Sequence, residues 1–96
     1  MEFEWDEAKN RANIAKHGID FHDAKRVFDG PIYTDEETEY HFGEYRFRTL
    51  GLLDGLVVLM VVHTDRDDLT RLISAREATP NERRKFEAAI FPSSYG

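Results

Sequence analysis

The sequence predicts an α+β domain: two helices at the amino-terminal end, an antiparallel meander of three to four strands, and a helix at the carboxyl-terminal end. Three observations carry this reading. Helix caps bracket residues 6–18 and open another helix at Thr79. Between them, the alternation of Tyr45–Gly51 and the apolar run Leu56–Val62 read as strands, and Asp54-Gly55 between those two is a hairpin signal. Helices segregated in sequence from an antiparallel sheet define the α+β class.

Each element follows from local chemistry. Asp6 is the N-cap of a first helix, polar and alanine-rich from Glu7 to Lys16, and Gly18 stands just past its end, where a left-handed residue is easily placed. Lys16 and His17 fall in its last turn, where cations suit the negative end of the helix dipole. Asp20 caps a second, short helix in which Phe21, Ala24, Val27 and Phe28 recur at helical spacing, and Gly30-Pro31 ends it. Residues 34–44 are acidic and poorly patterned, and read as a surface loop with at most a short edge strand. Tyr45–Gly51 is a strand with one wet face, and the uninterrupted apolar run behind Asp54-Gly55 is a central strand buried on both faces. His63–Asp68 makes the next turn, and Leu69–Arg76 returns antiparallel. Thr79-Pro80-Asn81-Glu82 then supplies an N-cap threonine, a proline at the first helical position and a capping-box glutamate. Residues 1–91 are read as a single domain and 92–96 as a frayed tail.

Composition bounds the function. Ninety-six residues, 41% of them apolar, suffice for one modest core. The absence of cysteine rules out a disulfide or a thiolate ligand and suits a reducing cytoplasm. The start, Met1-Glu2-Phe3-Glu4-Trp5-Asp6, lacks the basic and apolar regions of a secretory signal. The longest apolar run falls far short of the ~20 residues that cross a bilayer. A cytoplasmic protein without membrane contact is the expectation. The net charge of −6 argues against a broad basic face of the kind that binds nucleic acid. Its distribution is uneven: residues 1–30 sum to −2, residues 31–56 to −4, and residues 57–96 to zero, with six basic and six acidic side chains. There is no HExxH, no paired cysteine, no GxxxxGK and no GxGxxG, so no metal or nucleotide cofactor is expected.

Two clusters offer chemistry. His63 closes the central strand and Arg66 follows it. A histidine titrates near neutrality, at ~6.5, and serves as acid or base, while an arginine forks onto phosphate oxygens. The plain alternative is a strand-end histidine satisfied locally, with Arg66 paired to Asp65, Asp67 or Asp68. Arg76 and Arg83 form the second cluster, with Arg71 further back on the same strand. Arg76 precedes a helix N-terminus that favours an anion, or else is bridged to Glu77 or Glu82 and fixes the corner. A hairpin turning near Arg66 separates His63 from Arg76 by roughly 20 Å at ~3.3 Å per residue, too far for one compact site. Lys16 and His17 are placed to complete either cluster.

Phe3-Glu4-Trp5-Asp6, Lys9, Asn13, Lys16-His17-Gly18-Ile19, Phe21, Ala24, Val27-Phe28, Arg46, Gly51, Val62-His63-Thr64, Arg66, Arg71-Leu72-Ile73-Ser74-Ala75-Arg76 and Glu82-Arg83 together resemble the BrnT family, the toxin half of bacterial BrnT/BrnA modules. Phe86 stands where that pattern leads one to expect a tyrosine. The resemblance implies a RelE-like fold and a metal-independent endoribonuclease that inhibits translation. It also implies neutralisation by a DNA-binding BrnA-like antitoxin in a heterotetramer that reaches operator DNA only through the antitoxin. His63, Arg66 and Arg76 are then the expected catalytic residues, and Lys16, His17, Arg71 and Arg83 the expected RNA contacts. The second reading is a catalytically inert module that completes a repressor complex, which the acidic balance favours.

Overall fold

The computed structural model describes residues 1–35 and 39–92. Its core is a mixed sheet in the order β1-β6-β5-β4-β2, with β3 paired to an extension of β4. The strands are β1 (Glu2–Glu4), β2 (Ile32–Thr34), β3 (Glu39–His41), β4 (Glu44–Leu53), β5 (Val57–Arg66) and β6 (Leu69–Glu77). Helices α1 (Glu7–His17) and α2 (Phe21–Ala24), the latter continued by a 3-10 turn over Lys25–Asp29, lie on one face, and α3 (Pro80–Ile90) lies on the other.

The α+β class and the three helices match expectation, whereas the sheet is larger than three to four strands and is not purely antiparallel. A strand precedes the first helix: Glu2, Phe3 and Glu4 pair in parallel with Leu69, Thr70 and Arg71. Ile32–Thr34 adds antiparallel to Thr49–Gly51, and Glu39–His41 pairs with Glu44–Arg46. Each of these strands has three residues, too few for a period of two to stand out. Glu39–His41 is the short edge strand allowed for within residues 34–44, and residues 36–38 lie outside the described residues. So does the expected flexible tail, apart from Pro92.

The predicted caps are present. The Asp6 carboxylate accepts from Ala8 N at 2.8 Å and Lys9 N at 3.2 Å, and these amides, Lys9 foremost, hold it below the usual aspartate range. Gly18 ends α1 at φ 72°. Thr79 and Glu82 form the reciprocal capping box of α3. At the first hairpin, Asp54 and Gly55 both take positive φ, and Leu56 N donates to Leu53 O at 3.0 Å. The second hairpin is tighter than His63–Asp68 suggests, since β5 runs on to Arg66, which pairs with Leu69 across Asp67-Asp68.

Sheet alternation divides the core in two. Leu59, Val61, Leu72 and Ala75 meet Phe21, Ala24 and Val27 beneath α1 and α2. Leu50, Val58, Met60 and Phe86 pack beneath α3. Helix α3 spans only the end of its face nearest the β4–β5 turn, so the other half of that face carries no helix. Helix α1 docks against the edge of β6 through Asn13. Its Nδ2 donates to Ala75 O at 2.8 Å and Ile19 O at 2.9 Å, and its Oδ1 accepts from Ala75 N at 3.1 Å. One buried side chain thereby takes the place of a strand neighbour beyond the point where β1 stops.

Candidate functional site

The half of the sheet face left open by α3 is lined with arginines. In β4, Arg46 and Arg48 lie two apart and share a side with Leu50. In β5, Thr64 and Arg66 continue the row of Met60 and Val62, and in β6 Arg76 lies opposite Met60. Arg71 sits an odd number of residues from Arg76 and in a regular strand would face the other way. A bulge between Val62 and His63 shifts the register so that Ser74 opposes Val62 and Arg71 opposes Thr64. Arg71 is thereby brought onto the arginine face, while Leu72 and Ala75 both keep to the core side.

These guanidiniums are held by carboxylates. Arg66 pairs with Glu44, Arg71 with Glu4 at 3.2 Å, and Arg48 with Asp35 at 3.2 Å, with Lys85 of α3 reaching Asp35 at 3.9 Å. Arg76 makes a two-pronged bridge to Glu82 at 2.8 and 2.9 Å and donates to Glu77 O at 3.2 Å. The Arg76 guanidinium draws the Glu82 carboxyl down to about 2, and Glu82 in return raises Arg76. The exposed Arg66–Glu44 and Arg71–Glu4 pairs are worth at most about 1 kcal/mol each, so a phosphate can replace those carboxylates. Between Arg66 and Arg71 lies a depression of about 270 Å³ walled by Glu4, Glu44 and Leu69, with buried Thr64 beneath. Two guanidiniums and a hydroxyl around one hollow suit a phosphate. A further depression, of about 600 Å³, is lined by Glu2, Asp65, Asp67 and Asp68 and repels one.

The expected site residues do not gather at one point. Arg66 and Arg71 share the depression. Arg76 is on the same face near α3, four register positions from Arg71, about 13 Å along the strand. The structure gives it the corner-fixing bridge to Glu82. His63 is nearer Arg76 along the strand than the roughly 20 Å estimate, since Met60 rather than a residue at the far turn opposes Arg76. It nevertheless faces the opposite side of the sheet. Only 3% exposed, it lies edge-on to Phe28 at 5.2 Å and is stacked on Phe47 at 5.7 Å. Both ring nitrogens are engaged, Nε2 with Thr49 Oγ1 at 2.7 Å and Nδ1 with Asp65 Oδ1 at 2.8 Å, and Thr49 Oγ1 meets Thr34 Oγ1 at 2.9 Å. An ionised Asp65 makes the chain directional: Nδ1–H donates to Asp65, Nε2 accepts from Thr49, and Thr49 accepts from Thr34.

Lys16 and His17 lie around the β6 edge beside Ile73 and Ser74. Arg83 is exposed along the groove between α3 and the β4–β5 turn, among Leu52, Leu56 and Val58, and is remote from the depression. Phe86, where a tyrosine was expected, is a core residue 1% exposed against Leu50, Val58 and Met60. Sequence reading missed Arg46, Arg48 and Thr64 as members of this face. Arg46 and Arg48 were legible, because two arginines spaced by two on a half-wet strand must share its open side. Among the described residues no group of three or more His, Cys, Asp or Glu is arranged to hold a metal ion, and no helix is long and apolar enough to cross a membrane.

Comparison with known proteins adds independent findings. Residues 5–82 match the family model of the ribonuclease toxin BrnT of type II toxin–antitoxin systems. The fold is similar to the crystal structure of the Brucella abortus ribonuclease toxin BrnT, at 28% identity and a TM-score of 0.61 over 82% of this chain and 97% of that one. No curated protein matches in sequence.

Proposed function

Because the chain belongs to the BrnT family of ribonuclease toxins of type II toxin–antitoxin systems, we propose that it is an endoribonuclease whose open arginine face holds the RNA backbone, with the scissile phosphate in the depression between Arg66 and Arg71. The observation that carries this reading is the bulge that turns Arg71 onto the same face as Arg66, Thr64 and Arg76. Arg66 and Arg71 stabilise the negative charge that grows on the phosphate as the 2′-oxygen, its proton passing to water, bonds to phosphorus and the P–O5′ bond breaks, the 5′-oxygen leaving with a proton from water, without need of a metal. Arg46, Arg48 and Arg76 track the flanking phosphates, and Lys16 and His17 extend the path around the β6 edge. His63, with both nitrogens engaged behind the sheet, acts as a positioning residue for Asp65 and not on the substrate. A type II module implies an antitoxin partner. We take that partner to be BrnA-like, to assemble with this chain in a heterotetramer and to carry any operator contact, the toxin itself acting on RNA in the cytoplasm.

Expression of the chain alone should arrest growth and fragment bulk RNA, and a folded Arg66→Ala/Arg71→Ala variant should do neither. Healthy cells with intact RNA and abundant folded wild-type protein would favour the second reading, an inert subunit of a repressor complex. One observation supports that reading: the Arg48, Arg66, Arg71 and Arg76 guanidiniums are already matched by carboxylates.

A further inference from the structure

The β4–β5 ladder stops at Phe47–His63, and beyond that point β4 turns aside to pair with β3 while β5 runs on with β6. The two strands part, and a cleft of about 260 Å³ opens between Gly43, Glu44, Tyr45 and Phe47 on one side and Thr64, Asp65 and Arg66 on the other. It shares Glu44, Thr64 and Arg66 with the phosphate depression, so the two hollows adjoin across those residues. Its walls are aromatic and braced: Tyr45 is backed by Tyr40 at 4.9 Å, and Phe47 by the buried His63 ring. Asp65, half exposed, is fixed from behind by His63 Nδ1 through Oδ1, which leaves Oδ2 for a ligand. The exposed Arg66–Glu44 pair lies at its edge, with Arg66 77% exposed.

We propose, on the basis of the ribonuclease reading above, that this cleft receives one unpaired RNA base next to the phosphate held at Arg66 and Arg71, and that Asp65 reads the amino group of that base. Single-stranded RNA is recognised by bases splayed from the backbone and stacked on aromatic rings, with polar groups on their edges. The acidic hollow beyond Asp65 turns phosphates away, so only the uncharged part of a nucleotide enters. A carboxylate accepts from the exocyclic amine of adenine or cytosine, whereas uracil meets it with two carbonyl oxygens flanking a single N–H. Asp65 is therefore the specificity determinant, and the buried His63 and Thr49, with Thr34 at the outer end, are the chain that holds it.

The test is fluorescence anisotropy with 2′-O-methyl homo-oligomers of A, C and U, which lack the attacking hydroxyl and stay intact. Wild type should bind the A and C oligomers about tenfold more tightly than U, the effect of one hydrogen bond to a charged acceptor. Asp65→Asn keeps an oxygen for His63 and should shrink that gap to about threefold or less. Tyr45→Ala, at an exposed position, should weaken all three oligomers about tenfold through lost stacking. Equal wild-type binding of all three, or discrimination unchanged in Asp65→Asn, overturns the base pocket while leaving the arginine face intact. Failure of wild type to bind any oligomer at low salt overturns the RNA reading itself.

Discussion

Asn13 fixes the first helix to the sheet with one buried side chain. It satisfies both backbone groups of Ala75 and the carbonyl of Ile19 from inside the α1–β6 junction. Asn13→Ala should cost about 2–3 kcal/mol, because buried amide groups lose their partners outright; a shift of the urea midpoint with an unchanged slope measures it. Gly51 is constrained by space, since a Cβ there would sit 2.7 Å from Val27 Cβ and 2.9 Å from its Cγ2. Gly51→Ala should destabilise by about 1–3 kcal/mol, and Val27→Ala should recover part of that loss when the two are combined. The caps were legible in sequence, because Asp6, Gly18, Thr79 and Glu82 act on neighbours within three or four residues. Asn13 was visible only as one residue of a family pattern, since its partner lies 62 positions away. His63 shows the same limit: its place on the central strand was legible, but the side of the sheet to which the imidazole points was not.

Among the elements, the β6–α3 corner depends on one carboxylate with two duties. Glu82 receives Thr79 N at 2.9 Å as a capping partner and grips Arg76 across the corner. Its folded value of about 2 lies below the ordinary 4.5, so unfolding takes up a proton as the pH falls between them. Its contribution is complete above about pH 4.5 and is lost progressively toward pH 2. Thermal unfolding followed across that window should fall more steeply in wild type than in Glu82→Gln; parallel curves would refute the assignment. The helices and the two long hairpins were readable because their signals are local and repeated. Strands β1 and β2 were not, as three residues carry no period and their pairing is decided by distant partners, whereas β3, a local hairpin with β4, was legible as a short edge strand. The bulge that re-aims Arg71 left no local mark either, since neither glycine nor proline occurs in Leu69–Glu77. The composition of the arginine face was therefore half legible: Arg46 with Arg48 from spacing, Arg71 with Arg66 only from the register.

At the level of the whole molecule, a chain of net charge −6 gathers Arg46, Arg48, Arg66, Arg71 and Arg76 on one side of the sheet and carries a four-carboxylate hollow at the β5–β6 turn. Local segregation, and not net charge, decides what each side attracts. RNA affinity should fall with rising salt at a log–log slope of about −0.7 for each phosphate neutralised, hence about −2 for three contacts. Arg71→Ala should flatten that slope by about one contact; an unaltered slope would place Arg71 outside the interface. The parallel pairing of β1 with β6 has a further consequence, for the order of events in synthesis. Glu2–Glu4 has no edge to join until Leu69–Arg71 exists, and Asn13 has no strand to cap until Ala75 does. Contacts that span most of a chain form late and slowly. Pairing of β1 and docking of α1 therefore wait until most of the chain has been made, and a product terminated early would contain arginines without the surface that aligns them.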